Sequence, residues 1–459
     1  MDATTSTDPP RDIWAELAAT LALAAPLAAG NLAQMAMGFT DTVMVGRLGA
    51  VALAAAGLGG MLYFTTGVVL QGVISAVSPL AAHAVGTGDR TGAGRIAGAG
   101  FALALLLSLP FLLAVTMLDR LLAALGYPGA VTIEIGRFLS AITWGAPAFL
   151  GFAALRSLLA ALAHTRAVML VLVTCVGANL ALNWVLVFGH LGAPALGVAG
   201  SGYASAINQW LILIGLALYV GGAPSLRGLR VLRGALLPRM HELVRILRLG
   251  LPIGGIMGLE IGVFLAAGVL IGLLGADALG AHQLVLNCAG LTFMVPLGVS
   301  QAATVRIAYE LGAGRPAAAR RAGVVALAIG VAFMGATALV LWSAPRAIVA
   351  IYVDVGAAAN AGLVPIALSL LAIAAAFQVF DGVQVIAAGA LRGYEDTTVP
   401  MLLGALGYWG FGFGGGWLLA FPLGYGVRGL WWGLALGLAA VAVLLALRLR
   451  RLATKPVDT

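Results

Sequence analysis

Twelve apolar runs, each long enough to cross a bilayer and set apart by short polar or Gly/Pro-rich connectors, constrain this chain more than any other feature. A crossing takes about 20 mostly apolar residues for roughly 30 Å of hydrocarbon. The runs fall at 14–46, 50–84, 93–118, 130–162, 167–189, 195–222, 241–274, 278–311, 318–343, 359–391, 398–421 and 428–450. Only helices suit them, because membrane strands alternate polar and apolar in stretches of about ten. The expected fold class is an all-α polytopic membrane protein with 12 transmembrane helices. Only 9% of the residues are charged, against about a quarter in a soluble domain, too few to cover a water-facing surface.

The formal charge of +8 comes from Arg and a single Lys, which read as confined to short connectors, so no surface is left for nucleic acid. With the N-terminus inside, 20 basic residues collect on the cytoplasmic side and five (Arg47, Arg120, Arg137, Arg346 and Arg428) on the other. That asymmetry predicts cytoplasmic N- and C-termini. Residues 1–12 are polar, with no apolar leader core, so the first long run is expected to act as the insertion signal. Cys175 and Cys288 lie inside apolar runs and imply no disulfide framework.

Sliding the chain along itself by 226 residues gives an ungapped match. Leu48-Gly49-Ala50 meets Leu274-Gly275-Ala276, Pro26 meets Pro252, Gly46 meets Gly272, and Gly86 and Gly88 meet Gly312 and Gly314. Farther on the register drifts, and Gly197-Val198 answers Gly426-Val427. Each half then holds six helices. Six is even, so both halves insert the same way up and are related by a pseudo-two-fold axis along the membrane normal, the parallel-repeat layout of alternating-access transporters. The expected organisation is a polar N-terminus (1–13), an N-lobe (14–222), a cytoplasmic linker (223–240), a C-lobe (241–450) and a cytoplasmic tail (451–459).

Ionisable groups inside the runs stand out. A charged side chain at a helix centre costs about 2.5–3.5 kcal/mol on insertion scales, so Asp41, Glu260 and Asp381 are candidate coupling groups that bind a cation or a proton. Asn31, Gln34, Gly38 and Asp41 form one polar stripe on the first helix, and Phe377, Gln378, Asp381 and Gln384 share a face of the tenth. Asn179 and Asn183, at i and i+4, aim two amides one way. Such stripes also serve as interhelical glue, worth about 0.6–2 kcal/mol per contact. Gln34, Gln283, Asn287, Gln378, Met257, Phe264 and Phe377, with Trp144 and Met294, are candidate cavity-lining residues, since Met and aromatic side chains suit varied apolar ligands. Pro26 and Pro252 can kink the first and seventh helices.

Three segments, GFTDTVMVGRLGAVALAAAGLG (38–59), PLGVSQAATVRIAYELGAGRP (296–316) and FQVFDGVQVIAAGALRGYEDT (377–397), resemble the multidrug and toxic compound extrusion (MATE) family, and the chain is most similar to its bacterial NorM branch. The resemblance runs over nearly the whole chain. It implies two six-helix lobes arranged as a V, and an antiporter of the bacterial inner membrane that exchanges sodium or protons for organic cations and other amphiphiles. It also implies a cation site around Asp41, Asn179, Asn183 and Ser205 in one lobe and acidic coupling residues Glu260 and Asp381 in the other, with Na+ possible at either. Some members carry aspartate at the position of Asn183, a threonine is usual at Ser205, and tyrosine is frequent at Phe377, so the oxygen set here is weaker and the coupling ion stays open. No cofactor is expected, and a monomer in the bilayer is. An enzyme is disfavoured because His83, His164, His190, His241 and His282 are scattered without metal-ligand spacing. The runner-up, a flippase for lipid-linked oligosaccharide or lipid, calls for arginines in the cleft to hold a pyrophosphate.

Overall fold

A computed structural model describes residues 13–124, 126, 129–226, 228–229 and 231–454; the polar segment 1–12 and the tail 455–459 lie outside them. Among the described residues the chain is helical throughout, with no strand. The N-terminal half comprises α1 (Ile13–Gly46), α2 (Ala50–Ile74), α3 (Val77–Gly86), α4 (Arg90–Thr116), α5 (Leu118–Ala124), α6 (Gly129–Ile142), α7 (Ala146–Ala161), α8 (Thr165–Phe188) and α9 (Val198–Gly222). The short α10 (Val231–Leu236) sits between the halves. The C-terminal half comprises α11 (Met240–Gly272), α12 (Ala276–Gly312), α13 (Pro316–Ser343), α14 (Pro345–Tyr352), α15 (Leu363–Gly393), α16 (Thr398–Gly404), α17 (Gly415–Ala420) and α18 (Gly426–Thr454).

Eleven of these helices or stacked pairs are long and apolar enough to cross a membrane by themselves. The remaining expected crossing, 398–421, is present as α16 and α17 joined by a π-helical stretch from Ala405 to Gly414. Four glycines in that stretch (Gly407, Gly410, Gly412 and Gly414) allow the wider turn. Gly412 and Gly416 press against Gly433 and Gly437 of α18, where a Cβ would overlap the facing backbone. Close backbone approach of this kind is how helices associate where burial in water offers no driving force.

The two halves are built alike. Helix ends recur at the 226-residue offset: Gly46 and Gly272, Ala50 and Ala276, Gly86 and Gly312. The glycines that turn the chain between helices recur as well, with φ of 111° at Gly49 and 119° at Gly275, and 84° and 70° at Gly88 and Gly314. The halves differ in detail. α12 is continuous where its counterpart breaks into α2 and α3, and α15 is continuous where α6 and α7 are joined by a 3-10 turn at Thr143–Gly145.

Six membrane crossings form each lobe, and the lobes meet along the start of α1, α3 and the end of α2 on one side, and the start of α11 and the end of α12 on the other. Leu23, Leu27, Val73, Leu80, Ile253, Val299 and Ala303 share one apolar cluster across this seam. Gly86 lies on the Tyr309 carbonyl and Gly312 on that of His83, a reciprocal contact of the kind a two-fold relation produces. Among the described residues every inter-lobe hydrogen bond falls in this half of the molecule, which carries the N-terminal end of α1. Towards the other face Phe39, Phe64 and Leu291 stand exposed, and no hydrogen bond joins the lobes among the described residues.

Candidate functional site

The first polar centre lies within the N-lobe. α1 carries Asp41, α8 packs alongside it, and the i, i+4 spacing of Asn179 and Asn183 turns both amides towards the carboxylate. Asn179 Nδ2 and Asn183 Nδ2 donate to Asp41 Oδ1 at 3.0 and 2.7 Å, and Ser205 Oγ of α9 donates to Oδ2 at 2.6 Å. Charge-assisted bonds of this kind contribute about 1.5–3 kcal/mol each. Asp41 makes no ion pair among the described residues. The Oδ1 atoms of Asn179 and Asn183 are buried without a hydrogen-bond partner, as are Asn208 Oδ1 and Ser201 Oγ nearby on α9. A half-buried carboxylate beside partnerless amide oxygens is an all-oxygen donor set of the kind that suits a hard cation.

The second centre lies in the C-lobe. Gln384 Nε2 of α15 donates to Glu260 Oε1 of α11 at 3.0 Å and to Asp381 Oδ1 at 3.2 Å, spanning the two carboxyls. The hydroxyl of Tyr408, in the π-helical stretch, donates to Gln384 Oε1 at 2.7 Å. These groups border a cavity of about 310 Å³ walled by Met257, Phe264, Phe293, Phe377 and Arg392, with Val68 of α2 contributed by the other lobe. An apolar chamber with a few convergent polar groups is the usual form of a small-molecule site.

The remaining residues named from sequence are placed elsewhere. Gln378 is buried between helices, accepting from Thr337 at 2.8 Å and donating to Thr292 at 2.9 Å, a tie among α12, α13 and α15. Gln283 and Asn287 are exposed on α12, as is Trp144 on its 3-10 turn. Gln34 faces Arg156, and Met294 accepts through its carbonyl from Asn31 at 3.4 Å. Pro26 and Pro252 are buried inside α1 and α11, both next to the seam.

The expectation that basic residues keep to the connectors is overturned. Arg156, Arg306 and Arg392 lie within α7, α12 and α15. Arg306 donates to both oxygens of Glu16, at 3.0 and 2.7 Å, and lies 3.1 Å from Glu310, which also pairs with Arg315 at 2.8 Å. Glu16 is 1% exposed and Glu310 1%, so this inter-lobe cluster is a buried one. Arg156 Nη2 donates to Asn31 Oδ1 at 2.5 Å and to Gln301 Oε1 of the other lobe at 2.7 Å. An arginine inside an apolar run was a visible signal for Arg156. Nothing in the sequence pointed to Tyr408, whose partner lies 24 residues away.

Comparison with known proteins follows the same two-part pattern. The family model MatE matches residues 26–185 and again 252–418, two stretches that begin 226 residues apart. The chain is 45% identical over 444 residues to a probable multidrug resistance protein NorM of Burkholderia mallei, covering 96% of this chain and 94% of that protein. It is likewise 45% identical over 430 residues to the multidrug resistance protein NorM of Burkholderia vietnamiensis, covering 94% and 92%. Among solved structures, the eukaryotic MATE transporter AtDTX14 superposes with a TM-score of 0.86 at 23% identity, over 96% of this chain and 98% of that one.

Proposed function

The chain belongs to the multidrug and toxic compound extrusion family, and from that premise we propose that it is a cation-coupled antiporter expelling organic cations and amphiphiles across the bacterial inner membrane. It is a multi-pass multidrug efflux transporter of the NorM type and not an enzyme. The basic residues collect on the face where the lobes touch, which supports a cytoplasmic position for that face and an outward-open V. The observation that carries the coupling is the pair of acidic centres, Asp41 in one lobe and Glu260 with Asp381 in the other, buried or half-buried and free of ion pairs among the described residues.

In this reading a cation enters from outside and neutralises Asp41, whose neighbouring amide oxygens complete a shell, or protonates the Glu260/Asp381 set. The drug, held against the same negative charge by Met257, Phe264 and Phe377, then leaves. The lobes rock to the other side, the cation departs inward, and drug takes its place. The arginines that a pyrophosphate flippase calls for are present, Arg392 in the cavity and Arg156 at the lobe seam, but in the cavity two carboxyls face the one guanidinium, which favours a cationic ligand over a pyrophosphate. The test is efflux of a fluorescent organic cation from proteoliposomes under an imposed sodium gradient and, separately, a proton gradient. One of the two should drive transport, and Asp41→Asn and Glu260→Gln should abolish it while the protein still purifies as a folded monomer. Undiminished efflux in both variants would remove these carboxyls from the mechanism.

A further inference from the structure

Arg156 differs from Arg306 and Arg95, the arginines that form ion pairs across the seam, in the company it keeps. Arg306 and Arg95 pair across the lobes with Glu16 and Glu242. The guanidinium of Arg156 meets only neutral groups: Asn31 Oδ1 at 2.5 Å, Gln301 Oε1 at 2.7 Å, Gln34 Oε1 at 3.5 Å, and the ring of Phe152 with its centroid 5.8 Å from Cζ. Among the described residues it makes no ion pair. A full positive charge is therefore held in place at the lobe interface without being cancelled.

Its position gives that charge a task. Asn31 precedes Asp41 by ten residues on α1, about 15 Å at the helical rise, and follows Glu16 by fifteen, about 22 Å. Arg156 and Asn31, through Gln301 and the Met294 carbonyl, make the first inter-lobe hydrogen bonds met on descending from the open mouth. They form the floor of the cleft into which the coupling cation enters, below Asp41, level with Glu260 (the equivalent of Gln34 at the 226-residue offset) and above the Glu16–Arg306 cluster. We propose that Arg156 is the electrostatic barrier of this floor, repelling the coupling cation so that it cannot slip between the closed lobes without an exchange. This rests on the cation-coupled reading above.

The partner chemistry fits a barrier. A carboxylate beside Arg156 would anchor it equally well but would neutralise it and offer a cation a resting place on the way through. Amide oxygens fix the guanidinium and leave its charge intact, and a fixed positive charge in a narrow passage is a recognised means of excluding cations. Gln301 leaves with the C-lobe when the seam opens, so the barrier exists only while this side is closed.

Sodium uptake and internal acidification of proteoliposomes, measured under each gradient without any drug, test the proposal. Arg156→Gln keeps the hydrogen-bonding character and removes the charge, and its drug-free leak should rise on the order of tenfold for the coupling ion. Arg156→Lys retains the charge and should stay as tight as the wild type, a distinction that a purely structural role would not produce. Gln301→Glu leaves Arg156 in place and cancels its charge, so it should leak as well even if Arg156→Gln fails to fold. Vesicles that stay tight to both ions with Arg156→Gln, or with Gln301→Glu, overturn the barrier. Wild-type drug efflux in the same vesicles tests the antiporter reading separately.

Discussion

Two pairs of residues show how the duplicated scaffold came to carry opposite charges. Gln34 and Glu260 are equivalent at the 226-residue offset, and the residues that donate to them, Arg156 and Gln384, stand 228 apart. One lobe therefore presents a cation on an amide where the other presents an amide on an anion. The C-lobe pair depends on the facing of a single amide, because a reversed Gln384 would aim its oxygen at two carboxyls. Tyr408 satisfies the Gln384 oxygen in that orientation, donating to Oε1 from a fully buried ring. Tyr408→Phe removes this bond and strands a buried acceptor, at a cost of about 1–3 kcal/mol. The expected result is a folded protein whose gradient-driven efflux slows about tenfold or more, since 1.4 kcal/mol is a factor of ten. Wild-type efflux in Tyr408→Phe would mean that the amide is oriented by something other than this hydroxyl.

At the scale of elements, the sequence announced most of the helices and few of their internal irregularities. Helices end at Gly46 and Gly272 and restart after Gly49 and Gly275, whose φ of 111° and 119° is open to glycine alone. The 226-residue match located them twice. The break between α2 and α3 left no such mark, and the glycines of 405–414 permit the π-helical turn without announcing it. Asp41, Asn179 and Asn183 each break an apolar run and stand out on paper, but only the family resemblance joined them into one site. The Arg156–Gln301 and Glu16–Arg306 contacts join residues 145 and 290 positions apart, and only the packed lobes bring them together. Gly86 and Gly312 depend on the same packing. A Cβ on Gly312 would overlap the His83 carbonyl, so Gly312→Ala must push α12 off α3. A cysteine placed at the buried Ala302, with Cys175 and Cys288 replaced by alanine, should then be labelled faster by a water-soluble thiol reagent than it is with glycine at 312. Equal labelling rates would show that the seam absorbs the methyl group without loosening.

For the whole molecule to alternate, the closed face must be stable enough to hold and weak enough to part. Apolar packing and glycine contacts along the seam are non-directional and would tolerate sliding. The Glu16–Arg306 bond is not, since two parallel N–H···O contacts fix both distance and orientation across the lobes. Removing one partner of a buried pair costs about 3–5 kcal/mol where the other charge is left alone. Here Arg306 would retain Glu310, so the loss falls mainly on the contact between lobes rather than on the C-lobe itself. Glu16→Gln should therefore fold and shift the balance away from the outward-open state. Spin labels placed across the open mouth should report a new population at shorter distance in the variant, because the mouth narrows as the opposite face opens. Drug efflux should fall with it, as the transporter returns too seldom to the state that admits the external cation. An unchanged distance distribution in Glu16→Gln would assign the closed face to packing alone and leave the ion cluster with no part in setting the balance.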